Sequence, residues 1–199
     1  MARRPAQTMT TGVLTPFADP ARADEVVAAS RQWLERAVIG LNLCPFAKAV
    51  YVKRQIRFAV TAAAQAGELL AELRAELDLL ARADPDDIET TLLVHPLALI
   101  DFTEYRLFLN EADSAVRALG FEGLLQIASF HPTYEFAGSA TDDVENFTNR
   151  SPYPMLHLLR EASIDRAVAA FPDAADIYER NMETLRRLGH DGWRRLWVV

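Results

Sequence analysis

Apolar residues recur along this chain in blocks that alternate between helical and strand spacing. Val26, Val27, Trp33, Leu34, Ala37, Val38 and Leu41 fall at steps that predict a first helix, with Asp24 as its cap. Residues 55–61, "QIRFAVT", read as a strand from their β-branched and aromatic content. From about residue 66 to 82, Leu69, Leu73, Leu77 and Leu80 make one stripe, with Glu72, Glu76 and Asp78 off it. Residues 89–96, "ETTLLVHP", form a second predicted strand, stopped by Pro96.

Phe102, Tyr105, Leu109, Ala112, Val116 and Leu119 define the clearest helix, from Asp101 to Leu119, with Gly120 in the usual glycine position after its end. Residues 123–132, "GLLQIASFHP", give a third strand. Leu125, Ile127, Ser129 and His131 share one of its faces; Gln126, Ala128 and Phe130 share the other. A polar loop spans about 133–150. Two helices follow, at about 154–170 and 173–188, the second ended by Gly189, and residues 192–199 suggest a short edge strand.

The centre therefore reads β-α-β-α-β. Such connections predict a small parallel sheet flanked by helices, with additional N-terminal and C-terminal helices: an α/β fold. The two inner strands are near-continuous apolar runs, as strands covered on both faces should be. Residues 1–22 read as a flexible N-terminal arm and 23–199 as one α/β domain, in keeping with a 199-residue chain.

Charge narrows the function. At a net charge of −7 the chain lacks the basic surface that nonspecific nucleic-acid binding requires. No apolar run approaches the ~20 residues that span a bilayer. A single cysteine, Cys44, permits no internal disulfide, which fits a reducing cytoplasm. Dinucleotide-binding, phosphate-loop, nucleophile-elbow and paired-cysteine patterns do not occur, so no nucleotide cofactor is expected.

Candidate chemistry gathers where strands end. His95 and His131 each close a strand in a His-Pro pair, at the edge where parallel sheets bind ligands. Each is either a ring that bonds a loop carbonyl or part of a site, and Ser129 shares the face of His131. In "NRSPYPMLHLLRE", from Asn149 to Glu161, Ser151 and Pro152 predict a helix start. Asn149, Arg150 and the first-turn amides would form a pocket for a carboxylate or phosphate. His157 and Glu161, four apart, would stack on one helix face as a structural pair, an oriented base or metal ligands. In "CPFAK", Cys44 reads either as a helix-capping thiol activated by the helix and by Lys48, or as a buried small hydrophobe.

Together "GLNLCPFAK", "TTLLVHP", "SFHPTYEFAG", "DDVENFTNRSPYPMLHLLRE" and "GHDGW" resemble the bacterial domain of unknown function 1415 family over about residues 30–195. The resemblance implies no particular catalytic residues, so the residues themselves must carry the site. Three readings follow. The first is a small-molecule enzyme. Cys44 would be its nucleophile or redox thiol, His131 or His157 its base, and Glu161 the orienter of His157. Asn149, Arg150, Ser129 and Lys48 would hold an anionic substrate. The second is a mononuclear zinc or iron site from His131, His157, Glu161 and His95. The third is a binding protein whose polar residues pin the 133–150 loop.

Overall fold

The structure, a computed structural model, describes residues 20–170 and 176–197. The predicted α/β class holds: helices pack on both faces of one four-stranded sheet. In chain order the elements are helix α1 (Pro20–Trp33), continued by a π-helical turn (Leu34–Ile39), α2 (Ala47–Val52) and strand β1 (Ile56–Val60). Then come α3 (Ala66–Arg82), β2 (Thr90–Val94), α4 (Phe102–Ala118) and β3 (Leu125–Phe130). A 3-10 turn (Val144–Asn149), β4 (Met155–Arg160), α5 (Glu161–Ala170) and α6 (Ile177–Arg195) complete the fold.

The three predicted strands run the same way, but not as a purely parallel sheet. The order is β1-β2-β4-β3, with β1 parallel to β2 and β4 antiparallel to both β2 and β3. β4 occupies residues assigned on sequence to a helix. Its side chains explain the error. Leu156 and Leu158 bury against α3 and α4, while Met155 packs on the α1 side. A strand covered on both faces reads as a continuous apolar run, and six such residues fit a helical stripe equally well. The helix begins only at Glu161. Consequently Ser151 caps no helix, and its hydroxyl donates to the Tyr153 carbonyl at 2.7 Å.

The layer of α3 and α4 matches its sequence signature. Leu69, Leu73, Leu77 and Leu80 are fully buried, and the Asp101 carboxylate caps α4 by accepting from the Thr103 and Glu104 amides. Gly120, at φ 75°, takes the left-handed turn that ends α4. Glu72 and Glu76, expected on the solvent side, are buried instead. Glu76 accepts two hydrogen bonds from Arg57 of β1, at 2.8 and 2.9 Å, so its charge enters the interior paired. Arg160, at the end of β4, turns its guanidinium onto the frayed end of α3. One terminal nitrogen donates to the carbonyls of Leu80, Ala83 and Ile88 at 2.7, 2.8 and 3.1 Å.

Three further boundaries shift. α1 starts at Pro20, so Asp24 lies inside it rather than at its cap, and residues 20–22 of the expected arm belong to the helix. The rest of that arm, 1–19, and the start of the last predicted helix lie outside the described residues. Gly189 (φ 64°, ψ 177°) breaks α6 where sequence placed its end, but the chain re-enters a helix through Arg195 instead of forming an edge strand. No helix among the described residues is long and apolar enough to cross a membrane.

Candidate functional site

His95 and His131 do stand at the carboxyl ends of β2 and β3, but β4 separates those strands. The segment before β4 fills the gap. Pro154 accepts from the His95 amide, Asn149 accepts from the His131 amide, and Ser151 donates back to the His131 carbonyl. The two imidazoles converge on one side chain from α4: the Tyr105 ring lies 5.8 Å from that of His95 and 5.0 Å from that of His131.

Neither ring is poised to exchange protons. The His131 Nδ1 accepts from the Thr133 amide and hydroxyl at 3.2 and 3.1 Å. That assigns the proton to Nε2, which donates to the Leu99 carbonyl at 3.1 Å. Leu99 adopts the left-handed conformation, φ 54°, uncommon for a branched residue. Burial lowers the His131 pKa, against the opposing pull of the Leu99 and Ile100 carbonyls. His95 is fully buried. Its Nδ1–H donates to the Ala98 carbonyl at 3.0 Å and its Nε2 has no hydrogen-bond partner among the described residues. Burial, mainly, holds its pKa down at about 4.

His157 is elsewhere. It lies on β4, opposite Leu92 and Ala128, and on the α1 side of the sheet against Phe130. Thr90 has one hydroxyl proton, which it gives to the Leu158 carbonyl at 2.6 Å, so the 2.8 Å contact to His157 is donated by His157 Nε2. Desolvation puts this pKa at about 4 as well. Glu161 stands at the opposite end of β4 from His131, a separation of roughly 20 Å by strand rise. His131, His157 and Glu161 therefore cannot bind one ion, and no group of three metal-ligating side chains forms among the described residues. The helical His157–Glu161 pair is lost with the helix that would have made it.

Cys44 is half-buried and caps no helix, because α2 begins at Ala47 with Phe46 as its flanking residue. Burial pushes the thiol pKa up. Hydrogen bonds from the Phe46 and Ala47 backbone oppose this without winning. Lys48 is exposed on α2. Ser129 hydroxyl lies 3.4 Å from the Tyr134 hydroxyl, and its carbonyl accepts from Asn149 at 3.0 Å. The polar loop is tied internally. Asn146, fully buried, accepts from the Phe136 amide and the Ser139 hydroxyl and donates to the Ala140 carbonyl.

Of the predicted residues, Arg150 lines a cavity. The cavity, about 360 Å³, is lined by Trp33, Pro132, Phe147, Arg150, Ser151, Pro152, Trp193 and Trp197. It lies beside the carboxyl end of β3, where sequence placed a ligand site. The chain has three tryptophans, and all three line it. Trp193 stacks on Phe147 at 4.9 Å, Trp197 meets Trp193 edge-on at 5.6 Å, and the Trp33 indole donates to the Arg150 carbonyl at 2.8 Å. The Arg150 guanidinium lies 4.7 Å over the Phe147 ring and donates to the Tyr134 and Thr141 carbonyls. No carboxylate forms an ion pair with it among the described residues. Burial lowers the Arg150 pKa, and only the more distant Glu135 charge raises it.

The helical pattern places Trp33 in a core stripe, and the structure agrees, since Trp33 is buried. The pattern places Trp193 and Trp197 in an edge strand, whereas Trp193 lies on α6 and Trp197 just beyond it, and both reach the cavity wall. The signal that remained was the spacing of Trp193 and Trp197, four apart, with His190 before them. His190 meets Phe147 edge-on at 5.4 Å. The family model described as a protein of unknown function (DUF1415) matches residues 25–195. No curated protein and no solved structure matches the chain.

Proposed function

The chain belongs to the DUF1415 family of proteins of unknown function, and we propose that it binds a small molecule with an anionic group and a flat apolar body. The ligand's acid group sits on Arg150 and its body between the tryptophans. The carrying observation is a half-buried guanidinium, bonded to carbonyls and an aromatic face but to no carboxylate, at the wall of a pocket holding every tryptophan of the chain. Arginine prefers planar oxyanions, and aromatic walls favour flat partners. A cavity of about 360 Å³ is at the small end of ligand sites.

Binding is favoured over covalent chemistry because the groups assigned to catalysis are engaged elsewhere. The Cys44 thiol is held protonated, and His131 commits both nitrogens to Thr133 and Leu99. Asn149 and Ser129, two of the residues matched to an anion on sequence, are joined to each other, the Asn149 amide donating to the Ser129 carbonyl. A cytoplasmic setting fits a lone cysteine kept reduced.

Tryptophan fluorescence reports directly on this pocket. Benzoate, phenylacetate and indole carboxylates should quench or shift it saturably. Arg150→Met should weaken binding about tenfold or more, the loss of one charge-assisted contact. A panel of aromatic acids that leaves the emission unchanged at millimolar concentration would sink the reading. Equal affinity in Arg150→Met would sink it too.

A further inference from the structure

A second depression lies at the β1 edge of the sheet, on the face that α1 covers. It encloses about 600 Å³ and is lined by Arg31 of α1, Tyr51 and Val52 of α2, Arg54, and Ile56 and Phe58 of β1. Its floor is apolar and its rim cationic. The Arg31 guanidinium lies 4.4 Å over the Phe58 ring. Tyr51 donates its hydroxyl to Glu35.

Two features set this depression apart. Arg54 joins α2 to β1 in the left-handed conformation, φ 61°, where a glycine or asparagine is the usual residue. The side chain is exposed and forms no hydrogen bond or ion pair among the described residues. The surrounding sequence is also unusual for an acidic chain. Residues 36–67 contain no aspartate or glutamate, but hold Arg36, Lys48, Lys53, Arg54 and Arg57. Arg36 is spent on the Leu196 carbonyl and Arg57 on Glu76. Lys48, Lys53 and Arg54 are left exposed, in a chain of net charge −7, and Arg54 lines the depression.

We propose that this depression is a second ligand site, which takes a phosphate monoester between Arg31 and Arg54, with the ester's apolar part on Val52, Ile56 and Phe58. A phosphate offers three oxygens and up to two charges, so guanidiniums from two different elements can share it. The exposed Val52, 71 % accessible, supplies the apolar contact. The same chemistry exists in soluble esters and in a lipid headgroup.

The test uses butyl phosphate, which lacks the flat ring suited to the tryptophan pocket, by calorimetry, and sedimentation with vesicles containing phosphatidic acid, on the wild type and three variants. Arg54→Gly removes the charge and relaxes the backbone, so its failure to bind cannot be blamed on unfolding. Arg31→Gln removes the other guanidinium. Arg117→Gln makes the same charge change on α4. Binding of butyl phosphate should fall about tenfold or more in Arg54→Gly and in Arg31→Gln, the loss of one charge-assisted contact, and stay unchanged in Arg117→Gln. Vesicle binding with the same dependence assigns the ligand to a lipid headgroup; its absence assigns a soluble ester. An equal fall in Arg117→Gln, no binding of butyl phosphate, or vesicle binding without it would each overturn the proposal.

Discussion

Tyr105 reaches from α4 to the last rung of the sheet and bonds it through its hydroxyl. The hydroxyl donates to the Met155 carbonyl at 2.8 Å and accepts from the Phe130 amide at 3.1 Å. Met155 and Phe130 are partners in the β3–β4 register, so one buried phenol clasps the edge where the two histidines converge. Burial raises the Tyr105 pKa far above its ordinary value, which keeps the hydroxyl a neutral donor.

Tyr105→Phe leaves the Met155 carbonyl and the Phe130 amide without this partner. An unmet buried polar group costs about 1–3 kcal/mol. Chemical denaturation should show a loss of about 3 kcal/mol with an unchanged m-value. A loss within 0.5 kcal/mol, on the order of an ordinary surface substitution, would mean the phenol is not clasping the edge.

His95 makes the fold sensitive to acid. Its folded pKa, about 4, lies below the unfolded value of 6.5, so the unfolded chain takes up the proton first as pH falls. Stability from this group is therefore complete above pH 6.5 and is lost as pH drops towards 4. The loss is on the order of 3 kcal/mol for His95, and His157 adds in the same direction. Denaturation midpoints measured between pH 7 and 4 should fall steeply in the wild type and less steeply in His95→Gln. A flat profile over that window would refute the neutral buried imidazole.

Cys44 should behave as an ordinary hindered thiol. Burial raises its pKa, so iodoacetamide near neutral pH should modify it slowly in the native protein and much faster in denaturant. Rapid native alkylation would restore the enzymatic reading with Cys44 as nucleophile.

Arg160→Met removes the group that closes the end of α3. Three carbonyls lose a charged donor, a cost of about 2–3 kcal/mol. Amide exchange at residues 83–88 should quicken more than exchange in α4. Arg160→Lys should recover only part, because an ammonium lacks the reach and planar fork of the guanidinium.

The local signals that proved reliable were those that no distant contact could reverse. The Asp101 cap and the Gly120 stop are satisfied within their own helix, and the leucine stripe of α3 repeats along one element even though it packs on others, so all three read correctly. Residues 155–160 failed because their state depends on two strands whose paired residues precede them by up to 69 positions, as Thr90 does Leu159. "MLHLLR" is compatible with a helix until β2 and β3 leave a gap of one strand width. The site followed the same division. Arg150 was legible as a cation beside a strand end. Trp33 and Trp193, 160 positions apart, declare a shared pocket only after the chain has folded. Glu76 was misplaced for a similar reason, since its partner Arg57 lies on another element.

The insertion of β4 between β2 and β3 also dictates an order of events. β2 and β3 never pair with each other, so a nascent chain that has not yet reached Met155 holds one finished ladder, β1–β2, and an isolated β3. Both open edges wait for six residues made later, and the two ladders then close together. Assembly of this sheet is thus gated by a late, long-range event, of the kind that slows folding and leaves unpaired edges exposed meanwhile. Nascent chains that stall before Arg160 should be the ones that chaperones hold and proteases find.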